Sequence, residues 1–72
     1  MSQSFHTNTK VTWEWGQGQA EGYIRDKFTE TVTQTFDGTD VTRNGTKDNP
    51  AYVIEQEDGT NVLKLHSELS RA

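Results

Sequence analysis

Val11, Trp13 and Trp15 alternate with Thr12 and Glu14, the period-two pattern of a strand buried on one face. Gly16-Gln17-Gly18-Gln19 interrupts the run, and Ala20, Gly22 and Ile24 then resume the alternation. Two such runs around a short glycine-containing loop predict a β-hairpin. Pairing Trp15 with Ala20 sets Trp13 across from Gly22 and Val11 across from Ile24. That register gathers the apolar side chains on one face, Tyr23 excepted, and lays the two indoles over the two smallest residues. On the outer face it sets Glu14 opposite Glu21, a like-charge pair that costs ~0.2–1 kcal/mol.

Residues 29–36 alternate threonine with Glu30, Val32, Gln34 and Phe36. β-Branched threonine suits a pleated surface that is wet on one side. Asp37-Gly38 is a two-residue hairpin signal. It pairs Phe36 with Thr39 and Gln34 with Val41, so that Val32, Phe36 and Val41 share a face. Asn44-Gly45 marks another turn; the run Asn44-Gly45-Thr46 also matches a glycosylation acceptor, and it is read here as a turn. Pro50, without an N–H, fits the first residue of a strand. Asp58-Gly59 closes a third hairpin. Pairing Glu57 with Thr60 sets Ile54 against Leu63 and Tyr52 against Leu65, the second half of the core. Ser67-Glu68-Leu69 is expected to make one closing helical turn with Leu69 as a plug. No stretch of ten residues has helical periodicity. About five short strands joined by tight turns predict an all-β fold, a small five-stranded SH3-like (Tudor-like) barrel, with an OB-fold as the alternative.

The chain has 72 residues, the size of one domain with a thin core. Its hydrophobic content is only 29 %, so the two Trp, two Tyr and three Phe must supply much of the buried area. Seven basic against eleven acidic residues give a net charge of −4, and the basic residues are scattered. Nucleic acid, which calls for a concentrated basic patch, is therefore disfavoured. No cysteine is present, which excludes disulfides and thiolate metal sites. There is no membrane-spanning run and no signal-peptide pattern, so a cytoplasmic location is expected. Residues 1–9 read as a flexible tail, in which nothing requires Phe5 to fold back onto the core, 10–69 as the domain, and 70–72 as the C-terminal end.

These motifs together resemble a known family. The V-x-W run, the following G-x-G-x-A-x-G-Y-I, the later R-N-G-T-K-D-N-P-A-Y-V-I-E, Asp58-Gly59 and the H-S-E-L of His66 to Leu69 are similar, in order and spacing, to the hypervirulence-associated TUDOR domain family. The resemblance spans about Lys10 to Leu69. It implies a Tudor-like, SH3-type β-barrel, and it implies neither a catalytic activity nor a common ligand.

Gly16-x-Gly18 with Gly22 lacks both the spacing and the following helix of a dinucleotide fingerprint. His66, Ser67 and Glu68 have the residue types of a hydrolytic triad, but neighbours along a strand point apart and cannot converge. With His6 as the other histidine, no metal site is expected, and His66 reads as an exposed strand-end residue. Tudor domains often hold a methylated Lys or Arg in an aromatic cage with a carboxylate nearby. Candidates here are Trp15, Tyr23, Phe28 and Tyr52 with Glu14 and Glu21, of which Trp15 and Tyr23 are the better surface residues. Asp48 and Asn49 are added as loop contacts. The expectation is a non-catalytic binding module without cofactor, meeting a protein or peptide partner through a cationic side chain, as a monomer or weak homo-oligomer. The alternative is a structural or stress-related accessory protein that self-associates or docks to a larger partner.

Overall fold

The computed structural model describes residues 5–72. Seven strands follow in order: β1 (Lys10–Trp15), β2 (Gly18–Phe28), β3 (Thr31–Phe36), β4 (Thr39–Asn44), β5 (Ala51–Gln56), β6 (Asn61–Leu65) and, after a 3₁₀ turn (His66–Glu68), the two-residue β7 (Ser70–Arg71). They form a five-stranded antiparallel sheet in the order β6-β5-β2-β1-β7 and a separate sheet of β3 and β4. The all-β, Tudor-like expectation holds. The single closed five-stranded barrel does not, because β3–β4 leaves the chain between β2 and β5 as an arm. β2 and β5 pair directly with each other, and the arm packs across β6 without joining its ladder. No helix among the described residues is long and apolar enough to cross a membrane.

The first hairpin pairs Trp13 with Ala20, Val11 with Gly22 and Trp15 with Gly18. This corrects the expected register by two residues. The loop is Gly16-Gln17, not four residues, and positive φ falls on Gly16 alone, as in the II′ turn that suits a twisted two-residue hairpin. A slip of two keeps every side chain on its face, so Val11, Trp13 and Ile24 still point into the core. It does remove the Glu14–Glu21 pairing: Glu14 lies across from Gln19, and Glu21 from Thr12.

The second hairpin has the expected register, Phe36 with Thr39 and Gln34 with Val41. Asp37 and Gly38 both take positive φ, the I′ geometry that an Asp-Gly pair supplies. The third is corrected by one residue: Ile54 lies across from Val62, Tyr52 from Lys64 and Val53 from Leu63. Its loop holds three residues, closed by Gln56 N–H to Thr60 C=O at 2.8 Å and by Gly59 N–H to Gln56 C=O at 2.9 Å. Gly59 sits at φ 89, the left-handed position that ends a three-residue loop. The Asp58 carboxylate accepts from the Thr60 N–H at 3.0 Å and from its hydroxyl at 2.6 Å.

Val11, Trp13, Ile24, Tyr52, Ile54 and Leu69 form the core, with Phe5, Ala20 and Val62 packed at its margin. Leu69 fills its expected place as a plug after the 3₁₀ turn. Ala51 and Leu63, which alternate with core residues along β5 and β6, are buried as well, so this part of the sheet is covered on both sides.

Residues 1–4 of the expected tail lie outside the described residues. Phe5 to Thr9 are tied down: Asn8 N–H donates to Ile24 C=O at 2.7 Å, and Ile24 N–H donates to Thr9 C=O at 3.0 Å. Phe5 does fold onto the core margin. Its N–H donates to the Tyr52 hydroxyl at 2.9 Å, and its ring stacks on His66 with centroids 4.6 Å apart. His66 is thus half-buried, with Nδ1 3.2 Å from the same hydroxyl, rather than an exposed strand end.

Candidate functional site

Trp13 and Trp15 leave β1 on the same face, two residues apart, yet their surroundings differ. Trp13 faces Ala20 over the core and is 5 % exposed; Trp15 lies across from Gly18, beyond the edge of the core, and is 71 % exposed. The β3–β4 arm crosses nearby, with Phe36, Thr39, Val41 and Arg43 turned inward. Between the arm, the two tryptophans and β6 runs a groove of about 430 Å³, completed by Gln56, Asn61, Val62, Leu63 and Lys64. Its floor is aromatic and aliphatic, and its charged groups are the cations Arg43 and Lys64. Both cations reach one carboxylate outside the groove lining: Glu68 Oε1 lies 3.2 Å from Arg43 Nε, and Glu68 Oε2 lies 3.9 Å from Lys64 Nζ. Two cations sharing one anion leave that wall positive.

The site residues expected from the sequence do not come together. Glu14, Glu21 and Tyr23 alternate with Trp15 and its neighbours, and so occupy the opposite face of the hairpin. Glu21 is occupied by Lys10, its Oε1 3.3 Å from Nζ; this contact, first through the hydrogen bond and then through charge, raises the Lys10 ammonium above its ordinary value. Tyr23 is half-buried across from Lys10. Glu14 lines a second, polar recess with Thr12, Gln19, Lys64 and Ser67 to Ser70. Tyr52 is fully buried and Phe28 stands at the far end of β2, so neither ring reaches Trp15. Asp48 is exposed in the loop before β5. Asn49 braces the fold, its Oδ1 accepting the Ser67 N–H at 2.9 Å.

Of the groove lining, sequence reasoning singled out Trp15 alone as a site residue and missed Phe36, Val41 and Arg43 among others. Their alternation was legible; the crossing of the arm over β6 that brings them to Trp15 was not. No group of three or more His, Asp or Glu that would hold a metal ion occurs among the described residues.

Residues 9–69 match the model of the hypervirulence associated proteins TUDOR domain. The chain belongs to this TUDOR domain family. The match covers every strand from β1 to β6 and the 3₁₀ turn, and so includes all walls of the groove. No curated protein and no solved structure matches the chain. The TUDOR family membership therefore accounts for the small antiparallel fold, and the chemistry of the groove has to be read from its own residues.

Proposed function

We propose that this TUDOR-family chain is a non-catalytic binding module whose ligand lies in the groove between Trp15 and the β3–β4 arm. One observation carries the reading: Trp15 is 71 % exposed while Phe36 and Val41 stand across the same groove. An exposed indole at the rim of an apolar groove is the type of side chain that dominates binding energy when it becomes covered. Arg43 and Lys64 favour a neutral or acidic occupant. A cage for a cationic side chain needs several rings around one point, but Tyr23, Phe28 and Tyr52 do not line the groove with Trp15, and Arg43 and Lys64 do; the cationic partner therefore gives way to a short acidic peptide segment with an aromatic or aliphatic residue. The net charge of −4 still opposes nucleic acid. The non-catalytic part is supported by the partners of two of the residues considered for a triad: His66 faces Tyr52, and Glu68 is engaged with Arg43. A cytoplasmic setting belongs to the same proposal and is supported by the lack of cysteine.

The test is a titration of isotopically labelled protein with a capped Asp-Phe-Glu peptide and with its basic counterpart Lys-Phe-Lys, followed by two-dimensional NMR. Amide shifts centred on Trp15, Phe36 and Val62, larger for the acidic peptide and lost in Trp15→Ala, are expected. Shifts that map away from the groove, or that survive Trp15→Ala, defeat the proposal.

A further inference from the structure

The two sheets present four outer edges, at β6, β7, β3 and β4. Natural sheets guard such edges with charge, proline, bulges or brevity, because unpaired backbone groups template further strands. Three edges are guarded here. β7 is two residues long and carries Arg71. On β6, which carries Lys64, the Leu65 N–H is taken by Glu68 Oε1 at 2.9 Å. On β4, which carries Asp40 and Arg43, the Thr42 carbonyl accepts from Arg43 Nη1 at 3.1 Å. The fourth strand, β3, reads Thr-Val-Thr-Gln-Thr-Phe, with no charge, proline or glycine. Its free groups follow from the register. Phe36 and Thr39 flank a two-residue loop and so exchange both hydrogen bonds, as then do Gln34 with Val41 and Val32 with Arg43. The N–H and C=O groups of Thr31, Thr33 and Thr35 therefore point away from β4.

We propose that β3 is a homotypic docking edge: a second copy of the chain adds its own β3 antiparallel about a two-fold axis at Thr33, merging the two arms into one four-stranded sheet. Thr33 then faces Thr33 of the second copy, and Thr31 faces Thr35. All three outward-pointing residues fall at hydrogen-bonded positions, about six backbone bonds in total. The threonine rungs already formed within the arm, Thr31–Asn44 at 3.2 Å, Thr33–Thr42 at 2.8 Å and Thr35–Asp40 at 2.7 Å, continue across the axis. The self-complementary register selects this partner, and charge selects this strip. Two copies of net charge −4 repel, so they approach most easily through a neutral segment, and in this register Glu30 falls opposite Phe36 rather than opposite another acid. A pair of six-residue strands buries less than the ~1,200 Å² of a stable interface, so the dimer is reversible and forms at high protein concentration.

The test uses the full chain, which has no cysteine of its own. Sedimentation velocity at millimolar protein is expected to show a monomer–dimer equilibrium, weakened severalfold in Thr33→Lys, where two ammonium groups meet across the axis. Thr33→Cys is expected to form a disulfide-linked dimer under mild oxidation, because facing Cα atoms at a hydrogen-bonded antiparallel position lie ~5.5 Å apart, within disulfide reach. Thr42→Cys, also exposed but on β4, is expected to cross-link far more slowly, and the cysteine pair keeps the test valid should the lysine variant fold poorly. A wild-type chain that stays monomeric at millimolar concentration overturns the proposal and leaves the edge to a foreign strand. Equal cross-linking at the two positions, or a folded Thr33→Lys that dimerises like wild type, overturns it as well.

Discussion

Gly22→Ala adds a single carbon at a place with no room for it. A Cβ built on Gly22 lies 2.7 Å from the Glu55 carbonyl oxygen, 2.7 Å from Ile54 Cγ2 and 3.1 Å from the Glu55 carbonyl carbon. The oxygen belongs to β5, which pairs with β2 at this point, so it withdraws only by stretching the ladder, and Ile54 is fully buried. The backbone of Gly22 does not take positive φ, so alanine carries no conformational strain and even gains ~0.4–1 kcal/mol by stiffening the unfolded chain. The overpacking cost of ~1–3 kcal/mol opposes that gain and exceeds it in all but the mildest case. For a domain of this size each kcal/mol moves the melting temperature by roughly 4–8 °C. Gly18→Ala is the matched control in the same strand. Nothing lies within 4 Å of its added Cβ and its φ is not positive, so it should melt at or slightly above wild type. Thermal unfolding followed by far-UV circular dichroism reads both variants. A Gly22→Ala protein that melts at or above wild type would show that β2 and β5 do not approach as closely as described, and would remove the packing reason for glycine at this position.

The two tryptophans should separate cleanly in the same assay: Trp13→Ala costs ~3–5 kcal/mol, whereas Trp15→Ala leaves the melting temperature almost unchanged, and equal losses would contradict the placement of Trp15 outside the core. Tyr52 is buried, and burial raises its phenol above the ordinary value of 10.0. A raised folded value stabilises fully below pH 10 and is lost as pH rises through it, so alkaline unfolding should shift upward in Tyr52→Phe if the hydroxyl drives it; ultraviolet difference absorbance of the phenolate tracks the step. The Thr60 hydroxyl and N–H hold the Asp58 carboxyl below 3.8. That contribution is present above 3.8 and fades as pH falls through the lower folded value, so the acid side of the stability profile should flatten in Asp58→Ala, and an unchanged acid limb would show that the Asp58 contacts with Thr60 add nothing.

How far the fold was legible depended on what each turn left undecided. Asp37-Gly38 admits one two-residue loop, and its register was readable to the residue. Gly16-Gln17-Gly18-Gln19 offers two loop lengths that differ by an even slip. The hydrophobic pattern cannot distinguish these because both keep Val11 and Trp13 inward; the choice changes only which residues face each other across the hairpin, Trp13 meeting Ala20 instead of Gly22 and Glu14 meeting Gln19 instead of Glu21. At the third turn the slip was odd, which alternation normally forbids. It went unnoticed because Tyr52, Val53 and Ile54, like Val62 and Leu63, are apolar in succession, so either register buries something. The consecutive burial of Ala51 and Tyr52 has the same origin, a strand covered on both sides. The groove was legible only in part. Trp15 at a strand end beside a loop read as a surface ring, but its companions come from an arm whose crossing over β6 is a long-range packing event without a local signature. Glu14 and Glu21 do not accompany Trp15 for a simple reason: neighbouring positions on a strand belong to opposite faces, and Glu14 and Trp15 are neighbours.

The insertion of the β3–β4 arm between two strands that pair with each other also bears on how the chain finds its fold. Phe28 and Ala51 are ladder partners although the whole arm lies between them in sequence. Joining them from an open chain means closing that long segment, an entropic cost that delays non-local strand pairing. The arm has its own tight I′ turn and three side-chain rungs, so it can form from contacts close in sequence, on the microsecond scale of an isolated hairpin. Once formed, it brings Thr31 against Asn44 and leaves only a few residues on either side to be closed. The segment that walls the groove in the finished protein is then also the clamp that shortens the search for the central strand pair during folding.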